Sequence, residues 1–121
     1  MKKKDKNNSA ELKKVVIQAI LAKKGLEVIE LDLTSLNDAV ADYFIVCHGT
    51  NSTQVAAIAD SVYKEVKDEL ALFPKGLEGK AIAEWIILDY FDVVVHVFFN
   101  ETREYYQLEE LWSDAVSVEH E

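Results

Sequence analysis

Apolar positions recur along the chain first with the period of a helix and then with that of a strand. Residues 1–8 are charged and polar and predict a disordered tail, which Ser9 ends as a possible N-cap. Apolar residues at helical spacing then lead to the terminating Gly25. They are Leu12, Val15, Val16, Ala19 and Ile20. This stripe predicts a first helix that packs on a core through one face.

Two strands are predicted next. Between residues 29 and 33, apolar side chains alternate with Glu30 and Asp32, which is the pattern of a strand with one solvent-facing side. The run Tyr43–Cys47 is apolar throughout. A strand that is apolar on both sides is usually central in its sheet, so we expect this run to be covered by helices.

A polar hinge over residues 48–52 leads into a second amphipathic helix. The helix carries Val55, Ile58, Ala59, Val62 and Val66 on one stripe. Residues 73–76 end it, and an exposed loop is predicted through Lys80.

The second half of the chain predicts a hairpin and a closing helix. Strands over residues 83–90 and 92–99 are so close in sequence that an antiparallel hairpin is the simplest connection. Apolar residues between 105 and 115 predict a short last helix, and residues 117–121 a C-terminal tail. The predicted order gives one α/β or α+β domain over residues 9–116, in which helices pack on a mixed sheet.

Composition and charge narrow the range of functions. The chain has 121 residues, which suits one domain, and its 13 basic and 22 acidic residues give a formal charge of -9. That charge disfavours direct sequence-specific nucleic-acid binding and suits a basic protein partner, although acidity also serves solubility. The single cysteine, Cys47, excludes an internal disulfide. Without a convincing secretory signal or a bilayer-length apolar run, we expect a cytoplasmic protein that does not bind membranes.

Three polar residues of the hairpin are candidates for chemistry. Asp89, Asp92 and His96 are close in sequence and suit a metal or an acid and base, but their spacing is no specific metal motif. The favoured alternative is that the aspartates shape a tight turn. A turn made of residues 90 and 91 would place Trp85 opposite His96 and Asp89 opposite Asp92, whereas one more loop residue would break this grouping.

An enzymatic alternative rests on Glu30 and Asp32, which resemble the metal carboxylates of nucleotidyltransferases. Backbone N–H groups at the helix start, Gly49–Ser52, can receive an anion, but helix starts are ordinarily rich in such residues. The chain has neither a P-loop nor a glycine-serine nucleotide motif. We therefore expect no enzymatic activity and no cofactor.

The sequence of the hairpin also favours a protein interface. Trp85 lies beside Glu84 on a strand whose other residues already supply core material. Tryptophan and tyrosine near carboxylates are typical of interfaces, although Trp85 can equally pack under the last helix.

Two separated motifs resemble the RsfS/Iojap family of ribosomal silencing factors. Residues 84–98 read EWIILDYFDVVVHVF, and ETREYY at 101–106 and LEELW at 108–112 follow. Upstream, ADYFIV at 41–46 precedes Gly49, Ser52, Gln54, Val55 and AIA at 57–59. The resemblance covers most of the chain from Leu12 onward. It implies a nucleotidyltransferase-like topology without the catalytic motifs.

The resemblance also implies a role and a partner. It predicts binding to the large ribosomal subunit through ribosomal protein L-fourteen, a block of subunit association, and repression of translation when nutrients are scarce. An exposed apolar hairpin also favours a homodimer, which stays open as an alternative. The expected docking residues are Trp85, Asp89, Tyr90, Asp92 and His96, with Tyr43, Arg103 and Tyr106 as weaker candidates.

One residue departs from the family pattern. Many members carry glycine where this chain has Phe91. A turn with positive φ is costly for phenylalanine, so we expect a local change in hairpin geometry or a larger contact surface at this position.

Overall fold

A computed structural model describes residues 6–36 and 39–120, and the side chains from Ser9 onward. The described residues form four helices and six strands. In chain order these are α1 (Lys6–Ala22), β1 (Leu26–Asp32), β2 (Tyr43–Gly49), α2 (Ser52–Leu70), β3 (Gly76–Glu78), β4 (Trp85–Asp89), β5 (Val93–Phe99), α3 (Asn100–Tyr106), α4 (Leu108–Leu111) and β6 (Val116–His120).

The strands form one mixed sheet in the order β3-β4-β5-β2-β1-β6. Strands β2 and β5 are parallel, and the other neighbouring pairs are antiparallel. The all-apolar run that begins at Tyr43 is central, as predicted, because only a strand covered on both faces buries every side chain. The predicted α+β class is confirmed.

Each face of the sheet has its own core. Helices α1 and α2 cover one face, here called the helical face, with core residues such as Ile20, Ile45 and Val62. On the other face, here called the aromatic face, Phe44, Phe98 and Leu108 form a smaller core under α3, α4 and the segment after β1. Together the two cores contain the buried apolar residues of the described part of the chain.

The domain extends beyond both predicted limits. Helix α1 begins at Lys6, inside the predicted tail, and Ser9 lies within the helix. At the other end, Val116–His120 forms β6 and pairs with β1, where a tail was predicted. The side chains of β6 are mostly exposed, so its sequence carries no burial pattern. What places it there is the open edge of β1, whose backbone groups need hydrogen-bond partners.

Two further segments differ from the prediction. The predicted loop contains the short edge strand β3, which pairs with β4. The predicted closing helix is split into α3 and α4, because Gln107 between them adopts a left-handed conformation with φ of 49°. A left-handed residue cannot continue an α-helix.

The structure fixes the hairpin register, which the sequence left open, and the pairing is shifted by two residues from the grouping considered above. The Tyr90 N–H donates to the Val93 carbonyl, which leaves Phe91 and Asp92 as the loop. Trp85 therefore lies opposite Phe98, and Asp89 lies opposite Val94. Because side chains alternate with period two, a shift by two keeps every residue on its face. Trp85 and His96 thus remain on the same face, but on a diagonal.

Phe91 adopts a positive φ of 78°. The left-handed region favours glycine, so the phenylalanine is strained in this turn. Two contacts hold the residue there. The Asp89 Oδ1 accepts a hydrogen bond from the Phe91 N–H at 2.9 Å, and the Lys75 ammonium lies 4.2 Å from the ring centroid.

Candidate protein-binding surface

Strand β4 contributes half-buried side chains to the aromatic face. Its residues alternate, so Ile86 and Leu88 are fully buried on the helical face while Trp85, Ile87 and Asp89 are half-buried on the other. Helices α3 and α4 follow β5 directly and cover the middle of the aromatic face, which leaves its β4 side partly open.

Trp85 is held in one orientation by three neighbours. Its ring stacks on Phe98 with centroids 4.8 Å apart and packs against Tyr106 at the same separation. Its indole N–H donates to the Nδ1 of His96 at 3.0 Å. The indole therefore has its polar atom satisfied inside the protein, while part of the ring stays accessible.

Tyr106 continues the surface toward solvent. It is 49% exposed, and its ring meets Tyr105, which is 81% exposed, edge to face at 5.0 Å. A shallow depression of about 400 Å³ adjoins the two tyrosines, and the carboxylates of Glu84 and Glu101 line it. We call Trp85, Ile87, Asp89, Tyr105 and Tyr106 the docking surface. It combines aromatic area with negative charge.

Two of the expected docking residues lie on the opposite face of the sheet. Tyr90 is buried in the helical-face core, where burial raises the pKa of its hydroxyl. Tyr43 packs at the edge of the same core, with the Lys13 ammonium 3.7 Å from its ring centroid. Neither belongs to the docking surface. Odd and even strand positions face opposite ways, and sequence proximity to the Trp85 motif does not distinguish them.

Arg103 is also buried and serves the fold. Its Nε and Nη2 donate to one carboxylate oxygen of Glu109, at 3.0 and 2.6 Å. Its Nη1 donates to the Nδ1 of His48 at 2.9 Å and to the Leu26 carbonyl at 3.4 Å. The ion-pair partner of Arg103 is thus Glu109, six residues further along the chain. The network ties α3 to α4 and to the ends of β1 and β2.

Burial lowers the pKa of His48, and so does the Arg103 guanidinium. This guanidinium is always charged and donates to the His48 Nδ1. His96 is only 5% exposed and is not a surface residue. Burial lowers its pKa to about 4, against the opposing effect of the Asp89 and Glu109 carboxylates. Both histidines are therefore neutral at neutral pH.

Asp92 lies in the turn and joins the hairpin to its neighbours. Its carbonyl accepts the N–H groups of Asp42 and Tyr43, both at 2.9 Å, and its Oδ2 accepts the Ser9 hydroxyl at 3.4 Å. The favoured interpretation of the aspartates as turn residues agrees with these contacts. Among the described side chains, the structure gathers no set of three or more histidines, cysteines and carboxylates that suits a metal ion.

The residues behind the enzymatic alternative have structural partners as well. Glu30 pairs with Lys13 at 2.8 Å and with His120 at 3.1 Å, so its side of β1 faces α1 rather than solvent. Asp32 accepts the N–H and hydroxyl of Thr34. At the start of α2, the Asn51 side chain caps the Gln54 N–H, and the Gln54 side chain accepts the Thr50 N–H. Burial raises the pKa of Cys47 to about 12, which keeps it a thiol.

Sequence reasoning missed Ile87 and Tyr105 as parts of the docking surface. The available signal was the alternation along β4, in which Ile87 shares the side of Trp85. For Tyr105 it was the tyrosine pair at the end of α3. That any of these residues contacts a partner stays a prediction.

The fold and the docking surface define a small, single-sheet α+β domain with exposed aromatic and acidic residues. This is the chemistry of a protein-binding module. No helix among the described residues is long and apolar enough to span a bilayer. Comparison with known proteins narrows the class. The model of the family described as "Ribosomal silencing factor during starvation" matches residues 6–121.

Relatives and a solved structure agree with that match. The ribosomal silencing factor RsfS of Halalkalibacterium halodurans is 41% identical over 94% of this chain and 96% of its own length. The protein of that name from Bacillus subtilis is 41% identical over 89% of this chain and 90% of its own length. A crystal structure from Chromobacterium violaceum, 38% identical, superposes with a TM-score of 0.81 over 86% of this chain and 85% of that one. The chain belongs to the RsfS family of ribosomal silencing factors, which act in translational regulation.

Proposed function

We propose that this protein represses translation by binding the large ribosomal subunit through ribosomal protein L-fourteen and sterically hindering association with the small subunit. The protein acts by occupying space on the subunit and makes or breaks no covalent bond. It works in the cytoplasm, when nutrients are limiting.

The observation that carries the proposal is the half-exposed Trp85 stacked against Tyr106 beside carboxylates. Tryptophan and tyrosine are enriched among residues that contribute most to binding, and they do so at the centre of an interface. The carboxylates of Glu84 and Glu101 suit basic groups on the partner, whereas that of Asp89 already pairs with Lys75 at 3.9 Å. Ribosomal proteins have abundant basic groups because they bind RNA.

Self-association is a second candidate. Strand β6 is an edge of the sheet, and its Val116 is 63% exposed. An exposed apolar edge strand favours pairing with another copy of the chain. Sedimentation of the purified protein over a concentration series tests this candidate, which predicts a dimer that a Val116→Lys variant weakens.

The main experiment is a subunit-joining assay with purified small and large subunits and this protein. We expect the fraction of joined ribosomes, measured by gradient sedimentation, to fall when the protein is added to the large subunits before the small subunits. Joining that is unaffected at saturating protein would contradict the proposal. Addition after joining is the control, because a steric block acts only on free subunits.

The partner is tested separately by binding to isolated ribosomal protein L-fourteen. We expect a complex that Trp85→Ala weakens. Inhibited subunit joining without binding to ribosomal protein L-fourteen would place the contact elsewhere on the large subunit.

A further inference from the structure

We propose that His96 is a positioning residue, whose buried imidazole holds the Trp85 indole in its binding orientation before a partner arrives. This inference rests on the proposed function, in which Trp85 is the central contact. His96 itself touches no partner, because only 5% of it is exposed.

The geometry links the two side chains across the hairpin. Trp85 on β4 and His96 on β5 are diagonal neighbours on the aromatic face, and the indole N–H to Nδ1 distance is 3.0 Å. The imidazole is itself enclosed. Its centroid lies 4.6 Å from that of Phe44 and 6.3 Å from that of Phe98. The hydrogen-bond acceptor therefore stays in place while the outer part of the indole is accessible.

The tautomer follows from the hydrogen bond. An indole nitrogen only donates, so Nδ1 carries the lone pair and the proton of the neutral ring is on Nε2. Nε2 is buried and has no hydrogen-bond partner among the described residues. A buried unpaired donor destabilises a fold, so packing alone does not explain a histidine here. Phenylalanine would fill the aromatic core without that cost. The acceptor that histidine offers to Trp85 does explain it.

Holding the indole lowers the entropic cost of binding. A tryptophan that is free to rotate must be ordered when the partner docks, whereas a fixed one is already in place. The stack on Phe98 restrains the plane of the ring, and the hydrogen bond restrains its direction within that plane.

The test separates binding from stability. His96→Phe keeps an aromatic ring but removes the acceptor, and His96→Asn keeps an acceptor near the Nδ1 position but loses ring packing. For His96→Phe we expect about tenfold weaker binding to large subunits, with a urea midpoint close to that of the unmodified protein, because the variant removes the unpaired Nε2–H but leaves the indole N–H without its acceptor. His96→Asn should have a lower midpoint and near-normal affinity when folded. A purely structural role predicts the opposite pattern, in which affinity follows stability.

The orientation of Trp85 can be measured directly. The sequence has two tryptophans, so Trp112→Phe leaves Trp85 as the only one. In that background, His96→Phe should increase the fast component of the fluorescence anisotropy decay. Nitrogen NMR of the unmodified protein provides a test that needs no variant. It should show the proton of His96 on Nε2, and a proton on Nδ1 would overturn the inference.

The outcomes distinguish this inference from the proposed function. If Trp85→Ala weakens binding and His96→Phe does not, the positioning role is wrong and the docking surface stands. If Trp85→Ala binds normally, Trp85 is not the central contact and the proposed docking fails, whatever His96 does.

Discussion

Trp85 and Phe91 lie six residues apart in one hairpin. At the residue scale, each lowers the stability of the fold in a way that another residue would avoid. Trp85 leaves part of a large apolar ring accessible, and Phe91 holds a positive φ with 66% of its side chain exposed. Burying the Trp85 ring would favour folding, and so would replacing Phe91 by glycine. The proposed docking would explain the accessible ring of Trp85, whereas the contacts of Phe91 with Asp89 and Lys75 hold its strained conformation.

Truncating Trp85 tests the first of these residues. Removing a central interface residue typically costs about 2 kcal/mol or more, so Trp85→Ala should weaken binding to large subunits at least about 30-fold. Co-sedimentation with a titration of subunits measures this loss. Phe73→Ala is the control, because Phe73 is also an exposed aromatic residue but lies outside the docking surface. Equal affinity of the folded Trp85→Ala protein would remove Trp85 from the interface.

Phe91 is tested by comparing two smaller residues at the same position. Both Phe91→Ala and Phe91→Gly lose the contact with Lys75, but only glycine relieves the strain of a positive φ. We expect the glycine variant to be more stable than the alanine variant by about 1 kcal/mol in urea unfolding. An alanine variant of equal or greater stability would show that the backbone there is unstrained.

At the scale of elements, the position of Tyr106 depends on how α3 and α4 are joined. The two short helices meet at Gln107, and the buried Arg103 on α3 binds Glu109 on α4. Helices this short are not stable alone. The ion pair therefore stabilises the arrangement that brings Tyr106 onto Trp85.

Removing the acidic partner should unfold this part of the molecule more readily. Glu109→Ala leaves the Arg103 guanidinium buried without its counter-ion, and we expect the free energy of unfolding to fall by about 2–3 kcal/mol. Asp68→Ala is the matched control, because it breaks the exposed Lys64–Asp68 pair on α2 and should have no measurable effect. Urea unfolding compares the two. A similar small effect from both variants would show that the Arg103 network contributes little.

For the whole molecule, the excess of acidic residues predicts how binding responds to salt. Attraction between a basic partner and the carboxylates beside the docking surface, Glu84 and Glu101, is screened as ionic strength rises. The affinity for large subunits should therefore decrease from 50 to 300 mM salt at constant magnesium. An affinity that does not change with salt would leave the aromatic contacts as the whole basis of binding.

The two buried histidines predict a loss of global stability in mild acid. His96 has a pKa of about 4 in the folded protein against about 6.5 unfolded, so the unfolded chain takes up the proton first as the pH falls. Stability should therefore decrease between pH 6.5 and pH 4, by about 2 kcal/mol from pH 7 to pH 5 for His96. His48 acts in the same direction. Asp89 and Glu109, whose charges favour the protonated ring, limit the effect.

Urea unfolding at pH 7 and pH 5 measures this dependence. His96→Phe is the control and should reduce the difference between the two pH values without abolishing it, because His48 remains. An equal pH dependence in both proteins would show that His96 does not cause it.

By itself, the sequence determined those features that depend on local periodicity. The first two helices, the central strand after Tyr43 and the hairpin followed from apolar spacing, because each buries a regular set of side chains. Trp85 and Tyr106 were named as docking candidates from residue chemistry and family motifs, neither of which needs knowledge of distant contacts. Their contact with a partner stays a prediction.

Only the tertiary structure decided what depends on pairing between distant residues. Strand β6 is held by the open edge of β1, and the burial of Arg103 depends on Glu109, His48 and Leu26. The side of the sheet on which Tyr43, Tyr90 and His96 lie follows from register and from which helices cover each face. A strand pattern shows that two faces exist, but the packing of the other elements determines which face stays open to a partner.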